Sequence, residues 1–243
     1  MDSRLAPALA LAVALAVAAP FPVAAQGPDT AAAARDTARK NDLPLTAARA
    51  ASFTTSKGSW ISLDVSPDGR TIVFDLLGDL YTMPIAGGRA TRLTSGMSYD
   101  VQPRFSPDGK RVVFVSDRSG GENLWIMSLD GKDTVQVTKG NNNLYASPEW
   151  TPDGKYVVAS RTGGLGGAAK LWIFHTEGGT GQALVQAVPA SPQLTQLKML
   201  GAAFGSDPRY IWYASRQGDW SYNAIFPQYQ LGVYDRETGT QTA

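Results

Sequence analysis

The tetrapeptide SPDG stands at residues 66–69 and again at residues 106–109, and the variant TPDG stands at residues 151–154. Each copy comes just before a run of apolar residues, as in SPDGKRVVFVS at residues 106–116. Proline fixes φ at the second position of a turn, aspartate accepts hydrogen bonds from nearby backbone, and glycine adopts the positive φ that closes a hairpin. The chain therefore contains one kind of hairpin three times.

This hairpin belongs to a longer repeat. Its turn aspartates, Asp68, Asp108 and Asp153, lie 40 and 45 residues apart, and an altered fourth copy has Asp207 at the turn, followed by Pro208 in place of glycine. A leucine followed by an aromatic residue or glycine, here called the landmark pair, comes later in every copy, at residues 80–81, 124–125, 171–172 and 231–232. Repeats of this length are typical of stacked supersecondary units. Each has room for four short strands joined by three hairpins.

The apolar runs at residues 112–115 and 124–127 continue over successive residues, as in strands that are covered on both faces. An open β-sandwich is the alternative, but its half-exposed strands would alternate apolar and polar residues. Four-stranded antiparallel sheets that cover one another at this period are the blades of a propeller. We therefore predict an all-β propeller, with blades at about residues 59–95, 99–139, 145–188 and 197–243.

We expect this ring to be incomplete, with about four blades. The last repeat ends in LGVYDRETGTQTA at residues 231–243, without a clear final strand. A closed ring of four blades is the alternative, since propellers close with about four to eight. Our expectation is a truncated segment of a longer protein. The short run at residues 52–55 is predicted to close the ring in the complete protein by joining its last blade.

The first 25 residues have the pattern of a signal peptide. Arg4 precedes an apolar run at residues 5–19, and small residues before Gln26 predict cleavage after Ala25. A transmembrane anchor is the alternative, which three prolines disfavour, Pro7, Pro20 and Pro22. Residues 26–58 are predicted to form a leader or linker. With no cysteine to carry a lipid anchor, we expect a periplasmic or secreted protein without stable membrane insertion after cleavage.

Charge and residue types exclude several kinds of chemistry. The 22 lysines and arginines nearly balance 21 aspartates and glutamates, so we expect no nucleic-acid partner. His175 is the sole histidine and cysteine is absent, which leaves too few ligands for a zinc site. No Gly-x-Ser-x-Gly motif occurs. We therefore predict no catalytic residue, no cofactor and no metal ligand in this segment.

Two recurring features are candidates for contacts. Arg118, Arg161 and Arg216 each follow the second strand of their repeat, which favours pairing within the fold; a ligand-binding ring is the alternative. The loop before the landmark pair lengthens from repeat to repeat. Its last copy carries four large aromatic residues of the kind enriched at contact hot spots, Trp220, Tyr222, Phe226 and Tyr229. We predict that they contact a domain or partner; packing over their own blade is the alternative.

An SPDG hairpin followed by Leu-Trp resembles the blades of TolB-like propellers, and the resemblance covers about residues 59–243. Residues 58–125 also resemble the amino-terminal propeller of exported amidohydrolase-family proteins and, less closely, the first blades of tricorn-type peptidases. The amidohydrolase resemblance implies a non-catalytic propeller that positions or gates a missing downstream domain, which would hold a divalent metal such as zinc. The alternatives are a TolB-like periplasmic protein-binding propeller and the propeller of a tricorn-type or serine peptidase.

Overall fold

The computed structural model describes residues 52–163, 169–184, 198–216 and 229–242. These residues belong to one compact unit, Arg39–Ala243. They contain sixteen strands in four sheets and no helix, which confirms the predicted all-β propeller fold. It follows that none of the described residues forms a helix able to span a membrane. The predicted signal peptide lies outside the described residues. Residues 52–55 form no strand here, and their closing role stays a prediction.

Each sheet is one blade, in which every strand pairs antiparallel with the next strand along the chain. Blade 1 contains β1 (Leu63–Val65), β2 (Thr71–Leu76), β3 (Asp79–Pro84) and β4 (Thr91–Arg92). Blade 2 contains β5 (Asp100–Phe105), β6 (Arg111–Ser116), β7 (Asn123–Ser128) and β8 (Thr134–Gln136). Blade 3 contains β9 (Asn143–Trp150), β10 (Tyr156–Gly163), β11 (Lys170–His175) and β12 (Gln182–Ala183). Blade 4 contains β13 (Lys198–Phe204), β14 (Tyr210–Arg216), β15 (Gln230–Asp235) and β16 (Gln241–Thr242).

The SPDG sequence forms the turn between the first two strands of a blade. In blade 2, Ser106 Oγ donates a hydrogen bond of 2.6 Å to Asp108 Oδ1 and accepts the N–H of Arg111 over 2.9 Å. The hydrogen bond from Ser106 lowers the pKa of Asp108. Gly109 has a φ of 69°, which only glycine adopts without strain. The same bonds recur at residues 66–71 and, through threonine, at residues 151–156.

Adjacent blades pack face to face through three buried clusters. Between blades 1 and 2, Val73 and Leu80 contact Phe105, Val112 and Phe114. The other face of blade 2 packs on blade 3, through Val113, Val115, Leu124, Ile126, Tyr145, Trp150, Val157, Ala159 and Phe174. Blade 3 meets blade 4 through Val158, Leu171, Met199, Ala202, Ile211 and Tyr213. Blades 2 and 3 are therefore covered on both faces, as their continuous apolar runs predict.

The first strands of successive blades lie beside one another and form the inner side of an arc. Gln102 in β5 joins three blades: its N–H donates to Asp75 Oδ2 of blade 1 over 2.8 Å, and its Oε1 accepts the N–H of Ser147 of blade 3 over 2.6 Å. Gln102 and Ser147 have positive φ values of 57° and 50°, at bulges in β5 and β9. The bulges in β5 and β9 therefore allow blades 2 and 3 each to form a hydrogen bond with the preceding blade.

The leucine of the landmark pair faces the following blade. Leu80, Leu124 and Leu171 are fully buried. In blades 1 and 2, a threonine at the end of the repeat accepts the backbone N–H of this leucine over 2.9 Å, Thr94 for Leu80 and Thr138 for Leu124. This contact gives a physical reason for the RLT and QVT sequences that end these two repeats.

The expectation that the fourth repeat lacks a clear last strand was wrong. Residues Gln241–Thr242 form β16, which pairs with β15 through Val233 and Tyr234. The connecting turn is closed by Asp235, whose N–H donates to the carbonyl of Thr240 over 2.9 Å, and by Gly239, whose N–H donates to the carbonyl of Asp235. A strand of two residues has no apolar periodicity, so the sequence pattern could not reveal it.

Candidate functional site

A row of ionisable side chains lies on the inner strands. The position four residues before the turn aspartate is occupied by Asp64 in β1, Arg104 in β5, Glu149 in β9 and Ala203 in β13. Because the first strands lie side by side, the first three residues place acid, base and acid next to one another across three blades. We call these three residues the inner row.

The inner row is tied to the backbone and to itself. Asp64 Oδ2 accepts the N–H of Phe105 over 2.8 Å, and a terminal amino group of Arg104 donates to the carbonyl of Leu63 over 3.1 Å. Arg104 Nε lies 3.8 Å from Glu149 Oε2, and both side chains are about 30% exposed. Arg104 therefore bridges blades 1 and 3 and partly neutralises the row.

Glu149 has an altered acidity. Burial raises its pKa from the usual 4.5 to about 7; the nearby Arg104 opposes this rise, and Asp64 adds to it. Glu149 consequently changes charge close to neutral pH, which makes the row a place where binding can depend on protonation. Among the described residues, no three histidine, cysteine or acidic side chains come together as metal ligands.

A second candidate site is a crevice of about 610 Å³ between blades 2 and 3. Ten of the described residues line it, Thr138, Lys139, Asn143, Tyr145, Arg161, Trp172, Phe174, Gly179, Thr180 and Gly181. The guanidinium of Arg161 lies over the ring of Trp172 at 4.0 Å, and its Nε donates to Asn143 Oδ1 over 3.0 Å. This site combines a fixed cation with aromatic rings, a combination suited to an anionic organic ligand.

Two of the recurring arginines, Arg118 and Arg161, bind within their own blades. Arg118 lies over the rings of Trp125 and Phe114 and forms an ion pair of 2.9 Å with the buried Asp100 of the same blade. Arg161 stacks in the same manner but is held by an amide, and Arg216 is buried. The structure thus shows pairing inside blades 2 and 3, as expected for a structural role. The difference between Arg118 and Arg161 is one that sequence reasoning missed.

The predicted aromatic contact surface is largely outside the described residues. Trp220, Tyr222 and Phe226 all lie there, while Tyr229 is described and is half-exposed just before β15. Their contact role stays a prediction. His175, the sole histidine, is exposed at the end of β11. It packs edge-on against Tyr156 with ring centroids 5.3 Å apart, and its Nδ1 accepts the N–H of Glu177 over 3.2 Å.

Four-stranded antiparallel sheets that pack face to face around a shared inner side define this chain as a β-propeller protein. Residues 64–211 match the family described as the tricorn protease N-terminal beta propeller domain. The match covers more than half of the 243 residues, so the chain belongs to this family.

Solved structures show the same fold. TolB from Acinetobacter baumannii is similar with a TM-score of 0.57 and 22% identity, over 77% of this chain and 43% of that one. A putative TolB from Agrobacterium tumefaciens is similar with a TM-score of 0.56 and 18% identity, over 74% and 59%. The tricorn protease gives 0.52 and 16%, over 78% and 18%. No curated protein sequence matches the chain.

The chain therefore spans less than two thirds of each of these proteins. At such low identities the likeness concerns the fold alone. The predicted resemblance to TolB-like propellers is confirmed at that level, whereas an amidohydrolase parent stays a prediction.

Proposed function

We propose that this chain is the non-catalytic propeller of an exported peptidase of the tricorn type, in which it positions or filters peptides for a separate catalytic domain. The family match over residues 64–211 is the observation that carries this proposal. It replaces our first preference, an amidohydrolase parent, which rests on the sequence resemblance of residues 58–125.

The described surface supports a role in contacts with a domain or partner. The outer faces of blades 1 and 4 have partly exposed apolar side chains, among them Leu63 and Leu231. Such faces are typical of interaction surfaces. The inner row adds charged groups along the side of the arc where the strands of three blades meet. In this proposal the partner is the protein's own downstream domain or a second protein, and nucleic acid is not a partner.

A TolB-like protein-binding propeller without an attached enzyme is the second candidate, and the structural likeness to two TolB proteins favours it. The amidohydrolase parent remains a third candidate. It would hold its divalent metal, such as zinc, in the downstream domain, and the propeller would gate that site. These candidates share the propeller and differ in what adjoins it.

Sequencing the coding region around this chain separates the three candidates. A peptidase would show a downstream domain with a serine nucleophile and its partners, and an amidohydrolase would show a His-x-His pair at the end of an early barrel strand. A stop soon after further blades would favour the TolB-like candidate. In parallel, the chain is incubated with denatured casein. We expect no cleavage by the chain alone, and cleavage would overturn its non-catalytic role.

Export is part of the proposal and has its own test. The apolar run and small residues before Gln26 support a signal peptide, and the absence of cysteine fits a fold that needs no disulfide. Fusing residues 1–30 to an alkaline phosphatase that is active only after export should give an active reporter. A fusion of residues 27–57, which lacks the apolar run, is the control. An inactive first fusion would contradict a periplasmic or secreted location.

A further inference from the structure

We propose that the crevice between blades 2 and 3 binds a small aromatic carboxylate. The crevice is open and has a volume of about 610 Å³. Its described lining residues include Arg161 and Lys139 but no aspartate or glutamate. Pockets for small organic ligands have volumes in this range. The inference does not depend on which domain adjoins the propeller.

Arg161 provides a positive charge that can bind the carboxylate of the ligand. Its Nε donates to the neutral side chain of Asn143, and its guanidinium lies over Trp172 at 4.0 Å. Within the described part of the chain, its two terminal amino groups have no protein acceptor. A guanidinium fixed by one hydrogen bond and one aromatic stack, with donors to spare, is prepared to bind a carboxylate through two parallel hydrogen bonds.

Blade 2 supplies the internal comparison. There, Arg118 also stacks on the tryptophan of the landmark pair, but its guanidinium binds the buried carboxylate of Asp100 at 2.9 Å. Of these two stacked arginines, Arg118 is neutralised by a carboxylate, and no carboxylate of the described residues pairs with Arg161. Only the second lines the crevice, and this difference in charge is what gives the crevice its preference for an anion.

The aromatic wall is the second argument. Trp172 and Phe174 are stacked with centroids 6.3 Å apart, and Tyr145 meets Phe174 edge-on at 5.7 Å. Phe174 and Tyr145 are buried behind Trp172, which is the partly exposed ring of this wall. Inorganic phosphate or sulfate would bind the cation but leave the exposed part of Trp172 in water. A planar apolar body with one carboxylate covers both groups, because the exposed part of Trp172 contacts the body while Arg161 binds the acid.

Titration of the full chain with 2-naphthoate tests the proposal, with binding followed by calorimetry and by quenching of tryptophan fluorescence. We expect saturable binding that weakens as salt concentration rises. The neutral isostere 2-naphthamide should bind at least about 10-fold more weakly, because a charge-assisted pair is lost. Equal affinity for the two compounds, or no saturable binding of 2-naphthoate, would overturn the proposal.

Two substitutions locate the site. Arg161→Gln should lower the affinity for 2-naphthoate by about 10-fold or more. Asn143→Asp keeps the arginine but supplies an internal carboxylate like that of blade 2, and it should lower the affinity by a similar factor. Arg111→Gln is the matched control, since Arg111 also lies over a tryptophan, Trp150 at 5.0 Å, but does not line the crevice.

Near-UV circular dichroism and thermal unfolding establish that each variant is folded. Folded variants in which both substitutions leave the affinity unchanged would place the ligand elsewhere and contradict the proposal. Loss of binding in Arg161→Gln but not in Asn143→Asp would also contradict the proposal, since the proposed site requires an arginine without a carboxylate partner. Unchanged binding in Arg111→Gln, together with loss in the other two, supports it.

Discussion

Leu231 and Leu124 are the same residue at the same position of the repeat, yet one is exposed and the other is buried. The landmark leucines of blades 1 to 3 have 0% exposure, and Leu231 of blade 4 has 69%. Each buried leucine lies under the following blade, whereas no blade among the described residues covers Leu231. Burial in this fold is therefore decided by the neighbouring sheet and not by the residue itself.

Blade 1, at the other end of the arc, differs from blades 2 to 4 in the burial of a residue of its second strand. Phe114, Ala159 and Tyr213 follow the turn aspartate by six residues in blades 2 to 4, and each is buried against the preceding blade. Phe74 has this position in blade 1, where it is only partly buried and stacks on Tyr81 with centroids 5.6 Å apart. Within the part of the chain that the structure describes, blades 1 and 4 thus each have one covered face and one open apolar face.

The largest expected effect is self-association through these open faces. We expect the isolated chain to form oligomers at micromolar concentration, which corresponds to about 8 kcal/mol of association free energy. Light scattering after gel filtration measures this state. Leu231→Lys should shift the chain toward monomer. Leu77→Lys is the control, because Leu77 is 77% exposed in a hairpin loop. A stable monomer of the unaltered chain would show that the open faces of blades 1 and 4 do not mediate self-association.

The next effect compares the two leucines directly. Leu124→Ala should lower the free energy of unfolding by about 3 kcal/mol, because it leaves a cavity between two blades. Leu231→Ala should cost less than about 0.5 kcal/mol, because its side chain is already in water. Urea unfolding of both variants, at a concentration where the chain is monomeric, gives the difference. Equal costs would show that a surface covers blade 4 in solution.

A smaller effect concerns the inner row. The folded protein holds the pKa of Glu149 at about 7, above the usual 4.5, so the folded state retains this proton between these values while the unfolded chain releases it. Stability is therefore highest near pH 4.5 and falls as pH rises through 7. With about 30% of the side chain exposed, we expect a loss of about 1–2 kcal/mol.

Glu149→Gln isolates that contribution. This variant should lack the fall in stability between pH 4.5 and 7 and be more stable than the parent at pH 8, since it has no charge to desolvate. Urea unfolding across this pH range makes the measurement. Glu122→Gln, which alters an exposed glutamate outside the inner row, should keep the parent's profile. A Glu149→Gln profile that still follows the parent's would assign the pH dependence to another group.

The smallest effect concerns two turns with the same bonds. Ser106→Ala should cost about 1 kcal/mol, because the buried hydroxyl donates to Asp108 and accepts the N–H of Arg111. Ser128 makes the equivalent bonds to Asp130 and Asp133 in an exposed hairpin of blade 2. Ser128→Ala should cost less, because water replaces its hydroxyl. Thermal unfolding compares the stability of the two variants. An equal loss of stability would show that the exposure of the hydroxyl has no effect on the value of these hydrogen bonds.

Sequence reasoning succeeded where the physical cause is local. The turn at residues 106–111 is held by bonds among residues at most five apart, so its sequence predicts it wherever it occurs. The burial of Leu124 also followed from its continuous apolar run. The candidate sites were not found in this way. Glu149 owes its pKa to burial and to charges from two other blades, and the crevice joins Lys139, after β8, to Arg161, in β10.

What the amino-acid sequence determined by itself is the blade: its hairpins, its two apolar faces and its fourfold repetition, because proline, aspartate, glycine and apolar runs act over a few residues. Tertiary structure decided which of these faces are covered, which glutamate is desolvated, and which stacked arginine binds an amide where the other binds a carboxylate. The covering of a face and the desolvation of Glu149 depend on residues of another blade, and the partner of each stacked arginine lies 18 residues away on another strand of its own blade. Only the packing of blades and the pairing of strands bring such groups within range of a hydrogen bond or a charge.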